Sequence, residues 1–291
     1  MVSATSIWKP LLLRGLEDDS WQWDWTTLGT LADPSKKVRA RIIAKSKGIW
    51  AAAGLLDATV EVASQQISDS SFSYSSRWKD GQAFSPGDVI SEWKGSARSV
   101  LALERPFLNL AAYASGIATS MHELVTLVRK ARPGNPPRVT ATRKILPGYR
   151  DIAIHSIQVG GGRSHRADLA GGVLIKENHI RAAGGIRRAV ESARAVAPHT
   201  LKIEVEVRNL AELKQAVQAR ADVIMLDNFA PKLIRAAIDI LKTVIPRPLV
   251  EVSGGIDSRN IGSYAIAGVD IISTGSVTHS VRSADFSLLL K

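Results

Sequence analysis

Glu204 and Glu206 stand two residues apart inside the apolar run Leu201 to Val207. On a strand that spacing points both side chains to one side. An unpaired buried pair of this kind is costly unless a metal ion or cationic neighbours offset it. Asp227 closes the run Val223-Ile224-Met225-Leu226. Beside Glu206 it would supply the hard oxygen donors that suit Mg²⁺ carried by a phosphate substrate, structural capping being its plainer role. Lys176 ends Val173-Leu174-Ile175, where it could clamp an anion, form a Schiff base or simply point to water.

Two small turns late in the chain, Ser253-Gly254-Gly255 and Thr274-Gly275-Ser276, expose backbone N–H groups after apolar runs and suit a phosphate. Neither ends in the Gly-Lys-Ser/Thr of a nucleotide-binding loop, and Gly160-Gly161-Gly162 does not fit the dinucleotide pattern. ATP hydrolysis and nicotinamide-dependent hydride transfer are disfavoured. Between residues 138 and 188 stand eight arginines and two lysines against Asp151, Asp168 and Glu177, with Arg143-Lys144 and His165-Arg166 as tight pairs. Guanidinium groups grip carboxylates and phosphates bidentately, so this density, interleaved with Gly-rich turns, predicts a pocket for a compact polyanion. Of the histidines, His165, His179 and His279 sit near turns or strand ends and are candidates for chemistry, while His122, His155 and His199 read as structural.

Composition agrees with this placement. The 291 residues carry a net charge of +11, with 45% hydrophobic positions. Residues 1–95 are balanced, 11 basic against 11 acidic, so the whole excess belongs to the rest, whereas all seven tryptophans precede residue 94. A concentrated positive field attracts anions. The absence of cysteine excludes disulfides, thiolate metal sites, iron–sulfur clusters and a cysteine nucleophile. No apolar run is long enough to cross a membrane, and the Leu11-Leu12-Leu13 run before Glu17, Asp18 and Asp19 is too short for a signal-peptide core. A soluble, cytoplasmic protein is expected.

The elements that must position these residues follow from periodicity. In the first region the runs Val38 to Ala44, Gly48 to Ala53, Ala58 to Ala63 and Val89-Ile90 read as strands, and Ser68 to Asp80 as a loop. From Ser96 the spacing turns helical, with Pro106 suited to a first turn. Later, strands over 172–176, 201–207, 223–227, 249–253 and 270–274 alternate with helices over 185–196, 210–219, 231–244 and 258–267. Such alternation predicts parallel βαβ units. The residues ending each strand, Lys176, Glu206, Asp227, Ser253 and Gly275, would converge at the mouth of a barrel better than on a doubly wound sheet.

Together, Glu104-Arg105, Ser115-Gly116-Ile117-Ala118-Thr119, Thr142-Arg143-Lys144, Pro147-Gly148, Gly160-Gly161-Gly162 with His165-Arg166, Leu174-Ile175-Lys176, Glu204-Val205-Glu206, Leu226-Asp227-Asn228 and Ser253-Gly254-Gly255-Ile256 resemble the quinolinate phosphoribosyltransferase family, the carboxylating nicotinate-nucleotide pyrophosphorylases. The resemblance covers about 100 to 285 in the family's order, with a weaker echo at Glu17-Asp18 and Asp24 to Thr27. It implies an α/β protein: an N-terminal α/β sandwich domain over 1–106, with the tail 276–291 packed on it, and an open (β/α) barrel over 107–275. It also implies transfer of phosphoribosyl from 5-phosphoribosyl-1-pyrophosphate to quinolinate with loss of CO₂, using Mg²⁺, in a homodimer. By motif, Arg105 from the partner subunit would join Arg143, His165, Arg166 and Lys176 on the quinolinate carboxylates. Lys144, Glu206 and Asp227 would face ribose, Mg²⁺ and pyrophosphate. Ser253, Gly254, Gly275 and His279 would hold the 5-phosphate.

Ile145-Leu146 stands where the family has Thr-Thr, Ile154 matches a usual lysine, and Trp23 replaces a glycine. A paralogous phosphoribosyltransferase acting on another acid is therefore the nearest rival reading. A Schiff-base enzyme built on Lys176 and a nucleic-acid-binding protein are the rivals from other classes. The Glu pair and the lack of a basic helix or aromatic platform count against nucleic acid.

Overall fold

A computed structural model describes residues 5–291; residues 1–4 of the expected first domain lie outside the described residues. Contacts divide the chain into two compact units. The first takes the chain up to Ser120 with Asp151–Gly160 and Val281–Lys291, and the second takes Met121–Arg150 and Gly161–Ser280. The sequence places the boundary at 106/107. By contacts, residues 107–120 and the segment 151–160 lie with the first unit, and 276–280 with the second.

The first unit is built on strands β1 (Lys37–Ala44), β2 (Gly48–Ile49), β3 (Ser73–Ser75), β4 (Ala83–Phe84) and β5 (Val89–Ser96), and on the chain's last strand, β13 (Phe286–Leu290). The antiparallel sheet runs β13-β1-β5-β3, with Ile42 opposite Leu288 and Ser91, so the tail closes one edge. Trp8, Trp50 and Trp93 are buried in the core of this unit, while Trp23 and Trp25 are exposed. Trp93 meets Phe107 edge-on at 4.9 Å and Phe72 at 5.3 Å, and Trp50 meets Phe286 at 5.7 Å. Asp69, 7% exposed, staples the loop before β3 to the end of β5. It accepts from the Ser71 hydroxyl and N–H, from Ser96 N–H at 2.7 Å and from Lys37 Nζ at 3.2 Å. Burial alone would raise its pKa, but the bonds from Ser71, Ser96, Ser99 and Lys37 outweigh burial and hold the carboxyl well below the usual range.

Several sequence expectations are corrected here. Residues 58–63 are helical, inside Ala53–Gln66, because Leu55, Leu56, Thr59, Val62 and Ala63 are buried at helical spacing and alanines blur the alternation. For the same reason only Gly48–Ile49 of the 48–53 run is a strand. The 68–80 segment is not all loop but contains β3. Pro106 lies inside the 35-residue helix Ala97–Ala131 rather than in its first turn. Val100, Leu103, Phe107, Leu110 and Ala114 are buried along one side, and that packing outweighs the hydrogen bond the proline forgoes. Among the described residues no helix is long and apolar enough to cross a membrane.

The second unit holds β6 (Arg138–Ala141), β7 (Arg163–Ser164), β8 (Val173–Ile175), β9 (Ile203–Val207), β10 (Val223–Asp227), β11 (Leu249–Ser253) and β12 (Ile271–Thr274). They form one parallel sheet in the order β7-β6-β12-β11-β10-β9-β8. Helices Ile186–Val196, Leu210–Gln218 and Pro231–Leu241 intervene as expected, while the 258–267 helix shrinks to Ile261–Tyr264. One sheet face carries Val205, Val207, Ile224, Leu226, Val250, Val252 and Ile272, all buried. Each contributes roughly 1.5–3 kcal/mol on leaving water, which commits that face to apolar packing and leaves chemistry to the other.

Candidate active site

The parallel register decides which side chains share the second face. Glu204 pairs with Val223 and Leu174, Glu206 with Met225, Met225 with Glu251, Asp227 with Ser253, Ser273 with Thr140, and Thr140 with Arg163. Partners in a parallel ladder point to the same side, and so do residues two apart. Lys176, Glu206, Asp227, Ser253, Gly275, Thr142 and His165 therefore mark the carboxyl ends of seven strands on one face. That face is concave. His165 follows β7, and Glu204 lies in β9 five strands away, about 24 Å in a flat sheet at about 4.8 Å per strand. Yet His165 Nε2 is 2.9 Å from Glu204 Oε2 and 3.6 Å from Glu251 Oε2. The sheet curls into an open half-barrel.

Deep in it, one nitrogen of His165 and one oxygen each of Glu204 and Glu251 all lie within 4.8 Å of one another. Glu251 is 1% exposed and Glu204 6%. Burial, reinforced by the Glu204 charge, pushes the Glu251 carboxyl up to about 7. The hydrogen bond to Glu204 and the two carboxylate charges raise the pKa of His165 against its own burial. Arg166 Nη1 donates to the carbonyl of Gly172 at 3.0 Å, and burial together with the Arg143 charge lowers its pKa. The sequence reading missed Glu251. Its signal was a lone carboxylate inside the apolar run Leu249-Val250-Glu251-Val252.

Nearer the mouth, Lys176 Nζ is 3.4 Å from Glu206 Oε2. A salt bridge here gives Lys176 a different partner from the water of its plainest reading. Asn228 donates from Nδ2 to Asp227 Oδ2 at 2.7 Å, fixing that carboxylate, and holds φ 56° to do so. Arg143 and Lys144 are exposed on the loop after β6, with Ile145 half-buried and Leu146 58% exposed beside them. Gly254 passes so close to Asn228 that a Cβ would lie 2.3 Å from its Oδ1, and its φ of +96° suits glycine alone. At Gly275 a Cβ would lie 2.7 Å from the His279 ring and 3.1 Å from Thr142 Oγ1.

Other residues singled out by the sequence have other partners or belong to the first unit. His179 accepts from Lys176 N–H at 3.0 Å and caps the helix Glu177–Ala183, a structural task. His155 Nε2 lies 3.1 Å from Asp80 Oδ2. Arg105, exposed on the long helix, and Ile154 belong to the first unit.

Residues 117–289 match the profile of the quinolinate phosphoribosyl transferase C-terminal domain, and residues 24–115 match that of its N-terminal domain. The chain is 47% identical over 205 residues, 68% of its length and 71% of the relative's, to the probable carboxylating nicotinate-nucleotide pyrophosphorylase of Methanocaldococcus jannaschii. It is 37% identical over 277 residues to the carboxylating nicotinate-nucleotide pyrophosphorylase of Homo sapiens, covering 94% of this chain and 89% of that one. The solved nicotinate-nucleotide pyrophosphorylase of Francisella tularensis superposes with a TM-score of 0.87 at 33% identity, covering 99% of this chain and 97% of that one. Two-domain matches over nearly the whole chain, on a half-barrel with its charges at the strand ends, show that the protein belongs to the quinolinate phosphoribosyl transferase family.

Proposed function

We propose that the half-barrel joins quinolinate to 5-phosphoribosyl-1-pyrophosphate, giving nicotinate mononucleotide, pyrophosphate and CO₂, in a cytoplasmic homodimer that uses Mg²⁺. The observation that carries the reading is a single concave face holding both a cation cluster and a carboxylate pair. A dicarboxylate needs the first, and a metal-bound polyphosphate needs the second.

Arg143, His165, Arg166 and Lys176, with Arg105 of the partner subunit, hold the two carboxylates. Lys144, Glu206 and Asp227 face the ribose and pyrophosphate. The turn at Ser253 and Gly254, with Gly275 and His279, receives the 5-phosphate; both glycines are packed where a Cβ would collide, Gly254 with Asn228 and Gly275 with His279, so the turns hold their backbone N–H groups in a fixed shape. Glu206 and Asp227 fit Mg²⁺: they are hard donors on adjacent strand ends of one face, and Asp227 Oδ1 accepts no hydrogen bond among the described residues. When bound, the ion supplies charge neutralisation to the departing pyrophosphate.

The chain's own contribution is positioning and electrostatics. The bond from the anomeric carbon to pyrophosphate breaks, and Glu206 and Asp227 lie where positive charge develops on the ribose. The quinolinate nitrogen, aimed by the clamps on its carboxylates, donates its lone pair to that carbon. The ring is now cationic, so the carboxylate beside the nitrogen leaves as CO₂. Its electron pair stays on the ring carbon, which takes a proton from water. No side chain need act as a general base.

Omitting quinolinate, 5-phosphoribosyl-1-pyrophosphate or Mg²⁺ in turn should abolish nicotinate mononucleotide formation. The dimer is tested by mixing inactive Arg105→Ala with inactive Lys176→Ala. If Arg105 acts across subunits, about a quarter of wild-type activity returns as hybrids restore one site each. If it acts within its own subunit, none returns.

A further inference from the structure

The floor of the half-barrel holds more charge than those roles use. Glu204 lies in β9 between Ile203 and Val205, and Glu251 at the middle of β11 between Val250 and Val252, all four neighbours buried. Oε1 of each has no protein partner, and neither has the hydroxyl of Thr140 or Ser273 on the same face. Buried ionic oxygens of this sort are strongly unfavourable unless they serve a neighbouring charge. The cation they meet is His165, through Nε2. Arg166 opposes its protonation and is itself drawn to Glu204.

The orientation of the ring has a chemical consequence. Nε2 lies at hydrogen-bond distance from Glu204 Oε2, with Glu251 Oε2 at 3.6 Å behind it, and must carry a proton to bond the Glu204 carboxylate. Nδ1 has no protein partner among the described residues. On a neutral ring Nδ1 would offer a lone pair, which repels an anion; on a doubly protonated ring it offers an N–H and a positive charge. We propose that Glu204 and Glu251 are positioning residues that hold His165 by Nε2 as an imidazolium, so that Nδ1–H is a permanent donor to a substrate carboxylate. Through them a histidine acts with the constancy of an arginine. The raised pKa of His165 accords with this geometry. The proposal rests on the function above for the identity of the carboxylate, but not for the state of the ring.

Imidazole ¹⁵N spectra of the ligand-free protein test that state directly, with the His165 signals assigned by their loss in His165→Asn. At pH 7.5 the wild type should show both His165 nitrogens protonated, and Glu204→Gln should shift the ring to a neutral tautomer. In the assay, Glu204→Gln should raise the KM for quinolinate by about tenfold, as expected for one lost charge-assisted bond, with the KM for 5-phosphoribosyl-1-pyrophosphate unchanged. Glu251→Gln should act in the same direction and more weakly. A neutral His165 in the wild type, or an imidazolium that survives Glu204→Gln, would overturn the proposal. So would an equal rise in both KM values, or stoichiometric zinc retained by the wild type and lost from Glu251→Gln. Failure of the wild type to make nicotinate mononucleotide would count against the assigned function while leaving the spectra to decide the state of the ring.

Discussion

Asp69 in the first unit and Glu251 in the second are both buried carboxylates, and they are treated in opposite ways. Asp69 is surrounded by fixed donors, the Ser71 hydroxyl, the backbone N–H groups of Ser71 and Ser96 and the Lys37 ammonium, so its charged form is favoured and it serves the fold. Glu251 lies beside another carboxylate with one oxygen unpartnered, so its charged form is disfavoured. A buried charge with its bonds complete belongs to structure. One left incomplete beside a cation belongs to a site waiting for a ligand.

Removing the cations that meet the ligand should have the largest effect. Arg143→Ala or Lys176→Ala should lower kcat/KM by about 10² or more, with circular dichroism and melting temperature near wild type, because both groups act on charge in the site. Wild-type turnover in either would break the division between a structural and a working region.

Asp69→Asn tests the structural half. It strands buried donors and should cost about 2–3 kcal/mol at neutral pH. Tryptophan fluorescence reads the first unit alone, since every tryptophan lies there. The sign with pH follows from the depressed pKa: the stabilisation is full above the unfolded value of 3.8 and is lost as pH falls below it. The gap between variant and wild type should therefore close in acid.

Gly254→Ala sharpens the comparison from the phosphate side. The contact with Asn228 and the φ of +96° make any Cβ strained, by about 1–3 kcal/mol. The KM for 5-phosphoribosyl-1-pyrophosphate should rise more than that for quinolinate in steady-state kinetics.

The smallest effect should be Glu251→Gln, and it should be opposite in sign to Asp69→Asn. A carboxyl whose folded pKa is raised from 4.5 to about 7 destabilises the fold progressively as pH climbs through that interval. The amide should therefore stabilise by about 1–2 kcal/mol at pH 8, with the advantage fading toward pH 4.5. Hydrogen exchange of β11 amides would measure it.

How far the sequence carried each region follows the same contrast. In the half-barrel, every strand end singled out by residue type, Lys176, Glu206, Asp227, Ser253 and Gly275, falls on one face; in β9 and β11 the alternation of valines with polar residues encodes that face, while at Lys176 and Asp227 the end of an unbroken apolar run marks only where the strand stops. Glu251 escaped notice because its significance depends on His165, brought beside it by curvature no local pattern records. Asn228 was visible as a neighbour of Asp227, but its grip on the carboxylate depends on a left-handed backbone that spacing does not reveal. In the first unit, residues 58–63 of the helix Ala53–Gln66 read as a strand from sequence because alanine suits either face of either element. The pairing of β13 with β1 joins residues some 250 positions apart, and it is a matter of topology rather than local propensity.

The central claim, that ribosylation of the ring nitrogen drives loss of the adjacent carboxylate on this one face, is most directly tested with quinolinate carrying ¹³C in that carboxyl group. Incubation with 5-phosphoribosyl-1-pyrophosphate, Mg²⁺ and the protein should release labelled CO₂, nicotinate mononucleotide and pyrophosphate in equal amounts, with no CO₂ when 5-phosphoribosyl-1-pyrophosphate is left out. Labelled CO₂ in its absence, or a ribosylated product that keeps both carboxylates, would contradict it.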